Sequence, residues 1–267
     1  MNLITLTTDF GTADAYVAIM KGVIAGVAPK ARVIDVTHDV PPYGIRDAAH
    51  VLRCLRPWYP SGTVHVCVVD PGVGTDRRIL LARCAGSFFL VPDNGVITFV
   101  HRDAPIEALH VVENRQYFLS AVSRTFHGRD IFAPVAARLA SGVKPESFGR
   151  ATDRLELLPE EWNVVLTREG VAGRVIRADR FGSLITNIHA KDLGPLIHRP
   201  QQTEVRVNDA SIGPLRATYA DIPPGEMLAL IGSSGFLEVA VNRGSAAARF
   251  GDLETLRIRV LRVGGGD

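Results

Sequence analysis

Hydrophobic residues follow two alternating patterns in the first half of the chain. Short continuous apolar runs, typical of strands buried on both faces, occupy residues 3–8, 31–37 and 64–70. Between these runs, apolar residues recur every three or four positions over 16–27 and 45–55, which is the spacing of amphipathic helices. Because strands that alternate with helices pair in parallel, this half predicts an α/β domain with a mainly parallel sheet and flanking helices.

The pattern changes in the second half of the chain. Before the change, three further apolar runs predict short strands and one periodic segment predicts a helix, at 79–84, 87–92, 96–101 and 129–140. Residues 143–162 are polar, contain prolines and have no sustained period, which predicts a linker. From residue 163 onward, short alternating runs separated by turn residues predict an antiparallel sheet or small antiparallel β-barrel. The sequence therefore predicts two domains, 1–142 and 163–267.

Composition and charge narrow the classes of function. The 30 Lys and Arg residues nearly balance 28 Asp and Glu residues, so the net charge of +2 gives no electrostatic case for nucleic acid or an anionic membrane surface. No run reaches the roughly 18 apolar residues of a membrane-spanning helix. The three cysteines, an odd number without C-x-x-C spacing, argue against a disulfide framework and a zinc knuckle. With no signal-peptide pattern at the amino terminus, we expect a cytoplasmic protein.

Polar residues cluster where the predicted strands of the first domain end. Asp9 follows the first strand, Asp39 the second and Asp70 the third, and His127 lies in a later polar segment. In an open parallel sheet these ends form the ligand crevice. Turn chemistry, helix capping or a satisfied core histidine explains most such residues taken singly. Asp9 is harder to explain, because a carboxylate after an apolar strand needs donors, which a helix N-terminus or the hydroxyls of a ligand would supply.

Longer motifs in a fixed order carry a more specific signal. They are TTDFGTADAYV, DVTHDVPPYG, VVDPGVGTDRR, PDNG and TFHGRD, followed by DRFGSLITNI, TYADIPPGE and GSSGFLEVAVNRGSAA. Over nearly the whole chain they resemble the S-adenosyl-L-methionine (SAM) hydrolase family, the hydroxide adenosyltransferases related to the fluorinase and chlorinase. The resemblance implies that SAM is split into adenosine and L-methionine by water attack on ribose C5′, with no metal and no cofactor beside the substrate. It also implies a homotrimer with sites at the subunit interfaces.

The same resemblance implies roles for individual residues. Asp70, Arg77 and His127 match the set that prepares the attacking water, and Asp9 matches the carboxylate that binds both ribose hydroxyls. The remaining positions that match the substrate pocket of the family are Tyr43, Phe126, Asp179, Phe181, Ser183, Tyr219 and Ser233.

Three of these pocket positions carry more specific expectations. Asp179 matches the acid that binds the methionine amino group, and Ser233 matches the serine at the methionine carboxylate. Ser183 stands where relatives usually have an asparagine that contacts the adenine edge, so we expect this shorter side chain to need a bridging water.

Three alternative functions stay open at the level of sequence. A halogenase would attack the same carbon with chloride or fluoride, but a carboxylate at Asp70 would repel a halide ion. A metal-dependent nucleosidase would use Asp9, Asp14, Asp39 and Asp70 as an acidic cluster, although calcium-type sites need about six to eight gathered oxygens. A non-catalytic SAM-binding protein would be told apart by its lack of turnover.

Overall fold

Contacts within the chain divide it into two units, Met1–Leu158 and Pro159–Asp267. This computed structural model describes residues 2–263. The predicted linker 143–162 is divided between the two units, because its residues up to Leu158 belong to the first. Phe148, in the middle of that segment, is fully buried in the core of the first unit, which explains why the segment packs against the α/β domain.

A six-stranded sheet forms the centre of the first unit. Its strands are β1 (Leu3–Thr8), β2 (Arg32–Thr37), β3 (Val64–Val68), β4 (Ile79–Cys84), β5 (Ser87–Pro92) and β6 (Ile106–Val111). They lie in the order β2–β1–β3–β5–β4–β6. The first four in that order are parallel, and β4 is antiparallel to both of its neighbours. The prediction of a mainly parallel sheet is therefore confirmed.

Helices cover both faces of this sheet. They are α1 (Tyr16–Val27), α2 (Ile45–Leu55), α3 (Thr98–Asp103) and α4 (Ala133–Ala140). Alternate residues of β3 point to opposite faces, so that Val66 packs in the cluster with α1 and α4, while Cys67 packs in the cluster with α2 and α3. Among the described residues, none of the helices has the length and apolar content needed to cross a bilayer.

Two details of the first unit differ from the sequence prediction. Residues 96–101, predicted as a strand, instead form a turn at 96–97 and the first four residues of α3. The Asn94 side chain accepts from the Val96 N–H at 3.2 Å and the Thr98 hydroxyl donates to the Gly95 carbonyl at 2.6 Å, which favours a helix start. A short apolar run cannot by itself distinguish a buried helix from a buried strand. The edge strand β6 was not predicted, because its apolar and polar residues alternate only weakly.

The second unit is an almost closed β-barrel. Its strands are β7 (Val165–Leu166), β8 (Gly170–Ala178), β9 (Leu184–His189), β10 (Thr203–Val207), β11 (Ala210–Gly213), β12 (Leu215–Arg216), β13 (Met227–Ile231), β14 (Phe236–Val241) and β15 (Arg257–Arg262). They lie in the order β11–β10–β15–β8–β9–β14–β13–β12, with β7 paired to β8. The Leu215 N–H donates to the Thr203 hydroxyl at 3.0 Å, which joins β12 to β10 and brings the sheet round on itself.

Candidate active site

The carboxyl ends of β1 and β3 open into a cavity of about 320 Å³ in the first unit, called the first cavity below. Asp9 follows β1 directly, and Asp70 lies two residues beyond β3. The lining residues of the first cavity are Asp9, Phe10, Tyr16, Pro42, Tyr43, Val68, Asp70, Val73, Thr125, Phe126, His127 and Gly128. Five of the residues proposed from the sequence therefore meet at the edge of the sheet where a parallel fold places its ligands.

Arg77 connects two of these residues. One terminal nitrogen of its guanidinium donates to Asp70 Oδ2, and the same nitrogen lies 3.2 Å from His127 Nδ1. The side chains of Asp70 and Arg77 are only 4% and 8% exposed. Because a guanidinium has donors and no acceptor, His127 Nδ1 must accept this hydrogen bond. The neutral imidazole then carries its proton on Nε2.

Burial sets the electrostatics of Asp70, Arg77 and His127, which are called the trio below. It raises the pKa of Asp70 above its ordinary value, although the charge of Arg77 opposes the shift. It also lowers the pKa of His127, and the charge of Arg77 lowers it further, so the imidazole is neutral at pH 7. Asp70 Oδ1 is buried and has no hydrogen-bond partner within residues 2–263. One buried carboxylate oxygen of Asp70, a residue that lines the first cavity, therefore lacks a hydrogen-bond donor among the described residues.

A glycine allows the two loops of the trio to approach. Gly74 has φ of +78°, and a Cβ atom there would lie 2.2 Å from the Arg124 carbonyl oxygen. Any side chain at this position would push apart the loop that carries Arg77 and the segment that carries His127. The close approach that brings these two side chains into contact therefore depends on Gly74.

Asp9 is held by the main chain of the neighbouring loop. The Tyr43 N–H donates to Asp9 Oδ2 at 2.9 Å, and Tyr43 adopts a left-handed backbone with φ of +64°. That conformation is rare for a bulky residue and often marks a functional position. The Tyr43 side chain is 72% exposed at the cavity.

Aromatic rings form one wall of the first cavity. The rings of Phe10, Tyr16 and Phe126 pack against each other with centroid separations of 5.0–5.9 Å. Sequence reasoning selected Phe126 alone, and assigned Tyr16 to the apolar face of a helix. The 45% exposure of Tyr16 at the first position of α1 distinguishes it from the core residues of that helix.

The other acidic residues considered as metal ligands lie elsewhere. Asp14 and Asp39 are exposed and do not line the first cavity. Within the described part of the chain, no group of three or more His, Cys, Asp or Glu residues could hold a metal ion. The acidic cluster that a metal-dependent nucleosidase requires is therefore not assembled by these residues.

A second cavity, of about 790 Å³, opens in the barrel unit. All five residues proposed from the second half of the sequence line it: Asp179, Phe181, Ser183, Tyr219 and Ser233. Asp179 Oδ1 accepts from the backbone N–H groups of Phe181 and Ser183 at 2.9 and 2.8 Å. These two hydrogen bonds fix the carboxylate within its turn and hold it at the cavity.

Two charged residues of the second cavity were missed by sequence reasoning. Glu238 lies in β14 and accepts from the Tyr219 hydroxyl at 2.9 Å. Arg243 follows β14 and, like Tyr43, has a left-handed backbone, with φ of +56°. The glutamate in the apolar run FLEVAV is the signal that was available for Glu238, because a charged residue in a buried strand requires a partner.

Comparison with known proteins gives a consistent result for both units. The family description "SAM hydroxide adenosyltransferase N-terminal domain" matches residues 4–149, and "SAM hydroxide adenosyltransferase C-terminal domain" matches residues 173–254. A Thermus thermophilus protein named (R)-S-adenosyl-L-methionine hydrolase is 39% identical, and the alignment covers 98% of this chain and 100% of that protein.

More distant and structural relatives extend the comparison. A protein of Nocardia brasiliensis named fluorinase is 27% identical over 92% of each chain. The crystal structure of an uncharacterized conserved protein from Thermotoga maritima superposes with a TM-score of 0.88 at 37% identity, covering 97% of this chain and 100% of that one.

Proposed function

We propose that this chain, which belongs to the SAM hydroxide adenosyltransferase family, hydrolyses SAM to adenosine and L-methionine. The observation that carries the proposal is the contact of Arg77 with both Asp70 and His127 beside the first cavity. The Thermus relative is named for the R configuration at sulfur, and we propose that this chain takes the same epimer.

The proposed reaction needs an activated water and no help at the leaving group. The water oxygen forms a bond to ribose C5′ while the C5′–S bond breaks. The electron pair of the C5′–S bond stays on sulfur, which becomes the neutral thioether of methionine. One water proton is retained on the 5′-hydroxyl of adenosine, and the other is released. Because a sulfonium is already an excellent leaving group, we propose that the enzyme uses no metal or other cofactor. Holding the water in line supplies much of the acceleration, since oriented groups reach effective molarities of about 10⁵–10⁸ M.

The geometry divides the work on the water between the members of the trio. Asp70 Oδ1 has no hydrogen-bond donor among residues 2–263, and the raised pKa of Asp70 makes it a stronger base than an exposed aspartate. Arg77 favours the ionised form of Asp70 at neutral pH. His127 accepts from Arg77 through Nδ1, and its ring also hydrogen-bonds the Ser123 main chain, which fixes the imidazole beside the first cavity. We therefore assign proton acceptance to Asp70 and orientation to His127.

The remaining site residues are proposed to hold the substrate. Asp9 binds the ribose hydroxyls, while Tyr43 and Phe126 line the cavity around the ribose. In the barrel unit, Asp179 binds the amino group and Ser233 the carboxylate of the methionine part. Aromatic walls at Phe181 and Tyr219 and the hydroxyl of Ser183 serve the rest of the substrate.

We further propose a cytoplasmic homotrimer in which each site is completed across a subunit interface. The division of the proposed substrate contacts between two units of the chain supports this arrangement, as does the family resemblance. None of the cysteines Cys54, Cys67 and Cys84, which all lie within the described residues, forms a disulfide, as is usual in a reducing compartment.

The test is incubation of the purified protein with each epimer of SAM, followed by chromatography. Equal amounts of adenosine and methionine are expected from the R epimer, and reaction in ¹⁸O-labelled water is expected to place the label on the 5′-oxygen of adenosine. Release of adenine would refute attack at C5′. The fluorinase relative makes halide the competing nucleophile, so a 5′-halo-adenosine as main product in high chloride or fluoride would overturn the assignment of water.

A further inference from the structure

Glu238 is a buried carboxyl group for which the proposed reaction has no direct use. It lies in the middle of β14, where all six strand residues are buried, and it is 7% exposed. Burial raises its pKa, as does the nearby charge of Asp179. Since a polar group buried in an apolar strand is costly, its position must be stabilised by specific contacts.

One carboxyl oxygen of Glu238 holds the ring of Tyr219. The Tyr219 hydroxyl donates to Glu238 Oε2 at 2.9 Å. Burial and the neighbouring Glu238 raise the pKa of Tyr219 to about 12, so the hydroxyl stays protonated and remains a donor. Tyr219 is 42% exposed at the second cavity, and without this bond its ring would have one fewer restraint.

The other carboxyl oxygen lies directly over the turn that carries Ser233. A Cβ atom built on Gly232 would fall 1.7 Å from Glu238 Oε1. Gly232 is the residue before Ser233 in the β13–β14 hairpin, which is closed by the Gly232 N–H donating to the Phe236 carbonyl at 2.9 Å. The glycine leaves the space that the carboxyl group fills.

We propose that Glu238 is a positioning residue that holds Tyr219 and the Gly232–Ser233 turn in the geometry that binds the substrate. The inference rests on the proposed function, because Tyr219 and Ser233 matter only if the second cavity receives SAM. Glu238 acts through its hydrogen-bond acceptor and its volume. The competing possibility is that its negative charge attracts the sulfonium directly.

Three substitutions separate shape from charge. Glu238→Gln keeps an acceptor oxygen for Tyr219 and removes the charge, whereas Glu238→Leu removes both. Gly232→Ala leaves Glu238 in the sequence but displaces its flexible carboxyl end, because the added Cβ would meet Glu238 Oε1. The alanine itself is not strained there, since Gly232 does not have a left-handed backbone. Glu226→Gln, at an exposed turn of the same unit, makes the same change of charge and is the matched control.

KM and kcat for SAM, and Kd for SAM and for its neutral thioether S-adenosylhomocysteine, are measured for each variant. We expect Glu238→Leu and Gly232→Ala to raise KM about tenfold with kcat changed less than about threefold, and Glu238→Gln to stay within about threefold of the wild type. In the Glu238→Leu background, Tyr219→Phe is expected to add little, because the hydrogen bond is already lost.

Two results would overturn the positioning role. If Glu238→Gln weakens SAM as much as Glu238→Leu does, while S-adenosylhomocysteine binding is unchanged, then charge is the operative property. If Glu238→Leu and Gly232→Ala both bind and turn over SAM like the control at unchanged Tm, then Glu238 positions nothing. A wild-type protein that forms no adenosine refutes the proposed function first, and with it this inference.

Discussion

Replacing Asp70 with asparagine tests the proposed mechanism at its centre. The change keeps the shape of the side chain and removes the acceptor charge beside the first cavity. Loss of a positioned base costs about 10²–10⁴-fold in rate, and the contact matters mainly in the transition state. We therefore expect kcat to fall by that factor, with the Kd of SAM changed much less.

The pH dependence adds an independent signature of Asp70. In the proposed mechanism the ionised form of Asp70 is the active one, so kcat of the wild type should fall as the pH drops through the pKa of Asp70, which burial holds above the ordinary aspartate value. This decrease of kcat at low pH should be absent in Asp70→Asn, because the amide does not titrate in this range. Protonation of His127 should affect kcat only at acid pH, because the pKa of His127 is lowered.

The assay is the single-turnover formation of adenosine, followed by chromatography between about pH 4 and 9. Asp103→Asn is the matched control, because Asp103 also forms a largely buried ion pair with an arginine, Arg53, in the same unit but does not line the first cavity. Breaking a buried pair costs about 3–5 kcal/mol of stability, so Tm should fall in both variants. Asp70→Asn retaining more than about a tenth of the wild-type rate would refute Asp70 as the base.

Three further predictions follow from the two cavities. Asp9→Ala should weaken SAM binding by about 1.5–3 kcal/mol, measured by calorimetry, and an unchanged affinity would restrict Asp9 to a structural role. At a SAM concentration too low for either variant alone to turn over measurably, Asp9→Ala chains reassembled with Ser233→Ala chains should regain part of the activity, and mixed oligomers that stay inactive would exclude the shared-site arrangement. Gly74→Ala should lower both kcat and Tm, because its Cβ would meet the Arg124 carbonyl and separate Arg77 from His127; unchanged kinetics would show that this approach is dispensable.

Elements with strong periodicity were predictable from the sequence, and elements set by tertiary contacts were not. The bounds of β1, α1 and α2 follow directly from apolar spacing, and β-propensity with alternation indicates most strands of the barrel. The strand prediction for residues 96–101 was wrong, because side-chain hydrogen bonds of Asn94 and Thr98 favour a helix start there. The apolar pattern does not contain this information. The sequence does not show that 143–158 groups with the first unit, because that depends on the burial of one aromatic residue, Phe148, in the core.

For the candidate site, sequence motifs identify residues, but only the folded structure shows how these residues contact each other. Motifs indicated Asp70, Arg77 and His127, but not that Arg77 occupies Nδ1 of the imidazole and so fixes its tautomer. Glu238 was visible as a charged residue in an apolar run, yet its two contacts lie 19 and 6 residues away in the chain, and only the folded barrel brings them together.

Because Tyr43 contacts Asp9 through its main-chain N–H, the side chain at position 43 can be changed without removing the hydrogen bond that holds Asp9, the proposed ribose-binding residue. Substitution of Tyr43 by any residue other than proline keeps the N–H donor, and asparagine or glycine would adopt the left-handed backbone with less strain. The phenol could therefore be exchanged for other groups to admit substrates with altered sugars or bulkier sulfur substituents. Position 43 thus offers a starting point for redesign of substrate scope that leaves the Asp9 contact in place.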